Sequence, residues 1–100
     1  MALSIKTLAD APDQYEGAYV QVSGYYYSYF EHSAIYSHPE RELYAQNFRT
    51  GIWLFGVDDS FSGKHVEVTG FFTHTIQGHL GQWPGSICAT TVAETARAAP

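Results

Sequence analysis

The strongest pattern along the chain is an alternation of apolar and polar residues that occurs twice. Tyr15-Glu16-Gly17-Ala18-Tyr19-Val20-Gln21-Val22-Ser23-Gly24-Tyr25-Tyr26 returns as Phe61-Ser62-Gly63-Lys64-His65-Val66-Glu67-Val68-Thr69-Gly70-Phe71-Phe72. Side chains two apart in a strand share a face, so Val20 and Val22 point one way and Val66 and Val68 take the equivalent face of the second copy. The leading glycine of each copy marks a turn into the strand, and the inner glycine marks a bulge or sharp bend. Two copies are too few for a solenoid. They predict two long, bent strands of one small barrel.

Three further strands are expected: His32–Ser37, Gly51–Val57 with the apolar run Ile52-Trp53-Leu54-Phe55, and Ser86–Glu94 with alternation around Ile87 and Cys88. Residues 4–11 read as a short helix, with Ser4 as N-cap, Leu3 and Leu8 at staple positions and Pro12 as the stop. This helix is expected to plug one end of the barrel, because the connection Gly56–Gly63 is too short for a full helix. Pro39–Thr50 reads as a polar loop with a helical turn. One all-β domain over residues 1–95 results, a five-stranded OB-like barrel with one N-terminal helix and a flexible tail at 96–100. An SH3-like barrel is the alternative.

Those elements carry motifs that resemble a widespread group of bacterial OB-fold proteins of mostly unassigned function. The matching segments are Pro12-Asp13-Gln14-Tyr15-Glu16-Gly17, Val20–Gly24, Ser33–Tyr36, Ile52-Trp53-Leu54, Gly63–Gly70 and Gly78-His79-Leu80-Gly81. The resemblance implies the barrel and leaves function open, because OB barrels host unrelated activities.

Composition narrows the function. Hydrophobic residues make up 45% of the chain, enough for a core, and aromatics make up 16%, leaving rings to spare for a ligand or partner. The net charge is −5, and the five Lys and Arg are scattered. Phosphate binding needs clustered cations, so the balance argues against nucleic acid and favours a protein partner, with a basic toxin domain as the concrete expectation. The single cysteine, Cys88, excludes an internal disulfide. With no secretory leader or membrane-length apolar run, the chain reads as soluble and cytoplasmic.

Candidate site residues fall in four groups. Glu31, His32 and Tyr36 flank the second strand. His79 and Trp83 lie in the glycine-rich stretch 78–85, where OB barrels carry a ligand-contacting loop. Tyr25, Tyr27 and Tyr29 share parity with Tyr19 on the face opposite the valines, until the bend at Gly24 shifts it. Asp58 and Asp59, with Glu31, Glu40 and Glu42, form a potential acidic rim. The spacing of the five histidines matches no metal motif, although His74 and His79 flank a turn from which both could reach Glu31. Ser33 next to His32 points to the opposite face, against a nucleophile–base pair. No catalytic residue, metal or cofactor is assigned.

These features predict a non-catalytic protein-binding module. Its most concrete form is an immunity- or antitoxin-type inhibitor, which neutralises a cognate bacterial toxin by docking an acidic, aromatic surface on a basic domain. The alternative is an OB module for single-stranded nucleic acid or a small ligand. On the first reading Trp83→Ala weakens docking and leaves the fold intact.

Overall fold

The computed structural model describes residues 1–39 and 47–95. Strands β1 (Tyr19–Tyr29), β2 (His32–Tyr36), β3 (Ile52–Phe55), β4 (His65–Thr73) and β5 (Ser86–Glu94) close into a barrel in the order β1-β2-β3-β5-β4. Neighbours are antiparallel except β3 and β5, which run parallel with Trp53 opposite Ser86. This is the all-β, OB-like barrel that the alternation predicts. The expected turn within Pro39–Thr50 is found at Phe48–Thr50. The acidic residues Glu40 and Glu42, and the tail 96–100, lie outside the described residues.

The repeated motif builds the barrel through a local two-fold symmetry. In the β1–β4 pairing Val22 faces Val68, its own counterpart in the second copy, while Val20 faces Gly70 and Gly24 faces Val66. Hydrogen bonds repeat with the same symmetry. Gly17 N donates to Phe72 O (2.8 Å) and Gly63 N to Tyr26 O (2.7 Å); Phe72 N donates to Ala18 O (2.9 Å) and Tyr26 N to Lys64 O (3.0 Å). A short 3-10 turn precedes each copy, at Pro12–Tyr15 and Asp59–Phe61. Gly17 and Gly63 leave these turns with φ of +77° and +83°, where a side chain is disfavoured.

The inner glycines solve a different problem. A Cβ on Gly24 would stand 2.5 Å from the Tyr36 carbonyl oxygen and from Ile5 Cδ1, and one on Gly70 would overlap the Cys88 carbonyl. Gly70 also sits at the register shift between β4 and β5, the bulge expected there.

Alternate residues of β1 point inward without interruption: Val20, Val22, Gly24 and Tyr26 are buried. The bend at Gly24 therefore does not shift the tyrosine face, contrary to expectation, because the extra β-bulge residue lies in the β4–β5 ladder. Tyr26 is inside, and its hydroxyl meets Ser33 Oγ at 2.9 Å, which donates onward to Leu54 O. Ser33 thus satisfies a buried phenol.

Helix α1 (Ile5–Asp10) is capped by Ser4, whose Oγ accepts from Thr7 N at 3.0 Å. Its apolar face sends Ile5 and Leu8 into the barrel core with Val22, Ile35, Leu54 and Val68. The helix is short, so this burial, worth roughly 1.5–3 kcal/mol per side chain, holds it in place rather than helix propensity.

Candidate functional site

A second apolar cluster lies on the outside of the barrel. In β2, Ile35 points into the core, so His32, Ala34 and Tyr36 point out, and Trp53 of β3 lies opposite Ala34. An outward row of this kind normally meets solvent. Here the β4–β5 connection folds back and lays Trp83 over it. The Trp83 indole stacks on Phe48 with centroids 4.4 Å apart and meets Trp53 and His32 edge-on at 4.7 and 5.3 Å. Its Nε1 donates to the Tyr36 hydroxyl at 3.0 Å. Within the connection, Trp83 N donates to Gln77 O at 3.0 Å, and Ser86 Oγ donates to Ile76 O.

The burial is nearly complete. Trp83, His32 and Tyr36 are 1%, 3% and 4% exposed. These three predicted docking residues are therefore internal, and the expectation that Trp83→Ala leaves the fold intact is corrected: the indole is the centre of the cluster. His32 stacks on Tyr29 at 4.3 Å, and its Nε2 lies 3.3 Å from the Tyr36 hydroxyl. Its Nδ1 is buried without a hydrogen-bond partner. Burial pushes the imidazole down to about 4, so the ring is neutral at pH 7. The tyrosine stripe is partly consumed by the same packing. Tyr27 leans on Tyr36 and Tyr29 on His32, while Tyr25 meets His65 edge-on at 4.9 Å.

What the cluster leaves at the surface is its rim. β1 and β2 are joined by the two-residue turn Phe30-Glu31, since Tyr29 pairs with His32. Glu31 Oε2 reaches His79 Nε2 at 2.8 Å, tying this turn to the β4–β5 connection. Between them lies a shallow depression of about 170 Å³ lined by Glu31, Phe48, His79, Leu80, Gln82 and Trp83. Glu31 and Leu80 each have φ of +57° and are the only non-glycine residues with positive φ among the described residues. A side chain in that region costs roughly 1–2 kcal/mol. Phe30 and Leu80, at 76% and 77%, are also more exposed than any other large hydrophobic side chain described.

The remaining predicted residues lie elsewhere. Asp58 caps the Asp59–Phe61 turn, and the hydrogen bond from Ser60 N at 2.8 Å holds its carboxyl below the usual range. Asp58 and Asp59 belong to the β3–β4 connection and do not line the depression. His74 pairs with Glu16 at 2.5 Å rather than converging on Glu31. Among the described residues no three His, Cys, Asp or Glu side chains gather as a metal site would require. A larger depression, about 300 Å³, lies between α1 and the β2–β3 connection; its Lys6 is engaged by Asp10 at 2.5 Å. No helix among the described residues is long and apolar enough to cross a membrane.

Sequence reasoning missed Phe30, Phe48 and Leu80. For Phe30 a signal exists: a large apolar residue in a two-residue turn has no core to enter. In comparisons with known proteins, no family model, no curated protein and no solved structure matches the chain.

Proposed function

We propose that the protein is a non-catalytic binding module that docks another protein through the rim formed by Phe30, Glu31, His79 and Leu80. The observation that carries this reading is the coincidence of strain and exposure. The two left-handed non-glycine residues line one depression, and the two most exposed large apolar side chains stand at the same turns. Strained residues concentrate at functional sites, and exposed apolar anchors around a pocket are the usual form of an interface hot spot. A glycine at position 80 would relieve the left-handed backbone there.

The partner that fits best is a basic protein domain, and the concrete form is an immunity-type inhibitor of a bacterial toxin. The acidic balance of the chain supports this, since complementary charge speeds encounter and selects partners. The nucleic-acid alternative is less well supported. Part of the outward aromatic face on which bases would stack is covered by the chain's own Trp83, and Lys6, Arg49 and Lys64 are scattered.

The test uses a basic domain encoded beside this gene as the binding partner in calorimetry. Phe30→Ser and Leu80→Ser are each expected to weaken binding by roughly 30-fold, the scale of a hot-spot residue. Charge reversal at Asp58 and Asp59 is expected to act mainly on association rate and salt dependence. Affinities unchanged in both serine variants would remove the rim from the interface.

A further inference from the structure

The depression between the Phe30-Glu31 turn and the β4–β5 connection has a chemistry narrower than protein docking in general. Its walls are mostly apolar. Phe48 is half-buried and stacks on Trp83 at 4.4 Å, and its remaining surface faces the depression beside the exposed Leu80. One carboxylate lines it, that of Glu31, and no Lys or Arg does. Arg49, the residue after Phe48, lines the larger depression instead.

The Glu31 carboxylate is held in place but not used up. Its backbone is fixed in a two-residue turn at φ +57°, and Oε2 lies 2.8 Å from His79 Nε2, a hydrogen bond that a neutral imidazole makes by donating Nε2–H. The side chain is still 47% exposed, and among the described residues no other group contacts the carboxylate. Such a site selects its occupant by charge. An aliphatic anchor would suit the walls but cover the carboxylate without a partner, which costs binding. An acidic side chain would meet Glu31 as like charge. A carbon stem ending in a planar cation satisfies both the walls and the carboxylate.

We infer, on the reading of the rim as a docking surface, that the depression takes an arginine side chain of the partner, with its stem against Leu80 and its guanidinium against Phe48 and paired with Glu31. A guanidinium is planar, weakly hydrated and able to stack on a ring while donating to a carboxylate; a lysine ammonium is a compact, strongly hydrated point charge and does the first of these poorly. Charge-assisted hydrogen bonds of this kind are the stronger ones, and the carboxylate, already oriented by His79, loses little freedom in forming them. Arginine is also among the residues that most often carry the energy at the centre of an interface. Phe30 stands at the same turn as Glu31, so an apolar contact would border the ion pair.

The test needs no natural partner. The full chain is titrated with the capped amino acids N-acetyl-arginine amide, N-acetyl-lysine amide and N-acetyl-citrulline amide at constant ionic strength, followed by nuclear magnetic resonance. The arginine probe should shift the signals of Glu31, residues 79–82 and the Trp83 indole N–H in a saturable way, with a dissociation constant on the order of 10 mM. The lysine probe should bind at least about threefold more weakly, and the uncharged citrulline probe should not saturate. Glu31→Gln keeps an acceptor for His79 and removes the charge, so it should weaken the arginine probe at least about tenfold while signals away from the site stay unchanged. No saturation by arginine at about 100 mM, equal binding of lysine or citrulline, or a folded Glu31→Gln variant of undiminished affinity would each overturn the assignment. Any of these, with Phe30→Ser and Leu80→Ser still weakening a protein partner, would remove the arginine and leave the docking surface standing. Saturation by arginine as expected, with both serine variants binding that partner like the parent, would do the reverse.

Discussion

Replacing Trp83 by alanine removes the buried side chain that packs the β4–β5 connection onto the outer face of the barrel. The indole is 1% exposed and touches Phe48, Trp53 and His32. Truncating a buried tryptophan costs about 3–5 kcal/mol, as transfer free energy plus the cavity left behind. The Tyr36 hydroxyl also loses its 3.0 Å donor and keeps the longer contact to His32. Against a total stability of about 5–15 kcal/mol for a small domain, the loss is a large fraction. In a domain of this size it lowers the melting temperature by on the order of 20 °C. Urea unfolding followed by circular dichroism and by the remaining tryptophan, Trp53, measures it. Trp83→Phe is the control: it keeps an aromatic ring in place and loses the indole N–H, so it should cost about 1–2 kcal/mol. A Trp83→Ala loss below about 1 kcal/mol would refute the argument that this ring holds the outer cluster together.

Three further outcomes are expected. Burial holds the His32 imidazole down at about 4, against 6.5 when unfolded, so the unfolded chain takes up the proton first. The corresponding stability, on the order of 3 kcal/mol, is full above pH 6.5 and is lost as pH falls toward 4; His32→Leu should flatten the profile between pH 6.5 and 5. The lowered carboxyls Glu16 and Asp58 lose their stabilisation only as pH falls below the ordinary carboxylate range, outside that window. Gly70→Ala should destabilise by more than about 2 kcal/mol, because its Cβ meets the Cys88 carbonyl; Gly17→Ala, in open space but at φ +77°, should cost about 1 kcal/mol, and equal losses by thermal melting would contradict the distinction. Leu80→Gly should raise stability or leave it unchanged while weakening partner binding, because it releases a left-handed backbone and removes little buried surface; lost stability with full binding would be the reverse of the expectation.

The barrel was legible because its signal is local and repeated. Val20, Val22, Val66 and Val68 alternate at the period of a strand, and the glycines recur at matching places in both copies. Even the capped helix was readable from Ser4, Leu8 and Pro12. The site was less legible, because alternation states that a residue leaves the barrel interior but not what awaits it outside. His32, Ala34 and Tyr36 read as an outward face, and the pattern offers no means of knowing that Trp83, far along the chain, covers them. Burial of an outward residue is a long-range fact. The rim was hidden for another reason: Leu80 has a left-handed backbone between His79 and Gly81, and nothing in the residue's own chemistry announces that conformation.

Hydrogen–deuterium exchange of the protein with and without a bound basic partner addresses the docking surface directly, residue by residue. Slowed exchange at the turn carrying Phe30 and Glu31, together with residues 79–82, is the predicted outcome. Protection confined to the Asp58–Asp59 connection or to the outer face of β4 and β5, with those two turns exchanging as in the free protein, would contradict it.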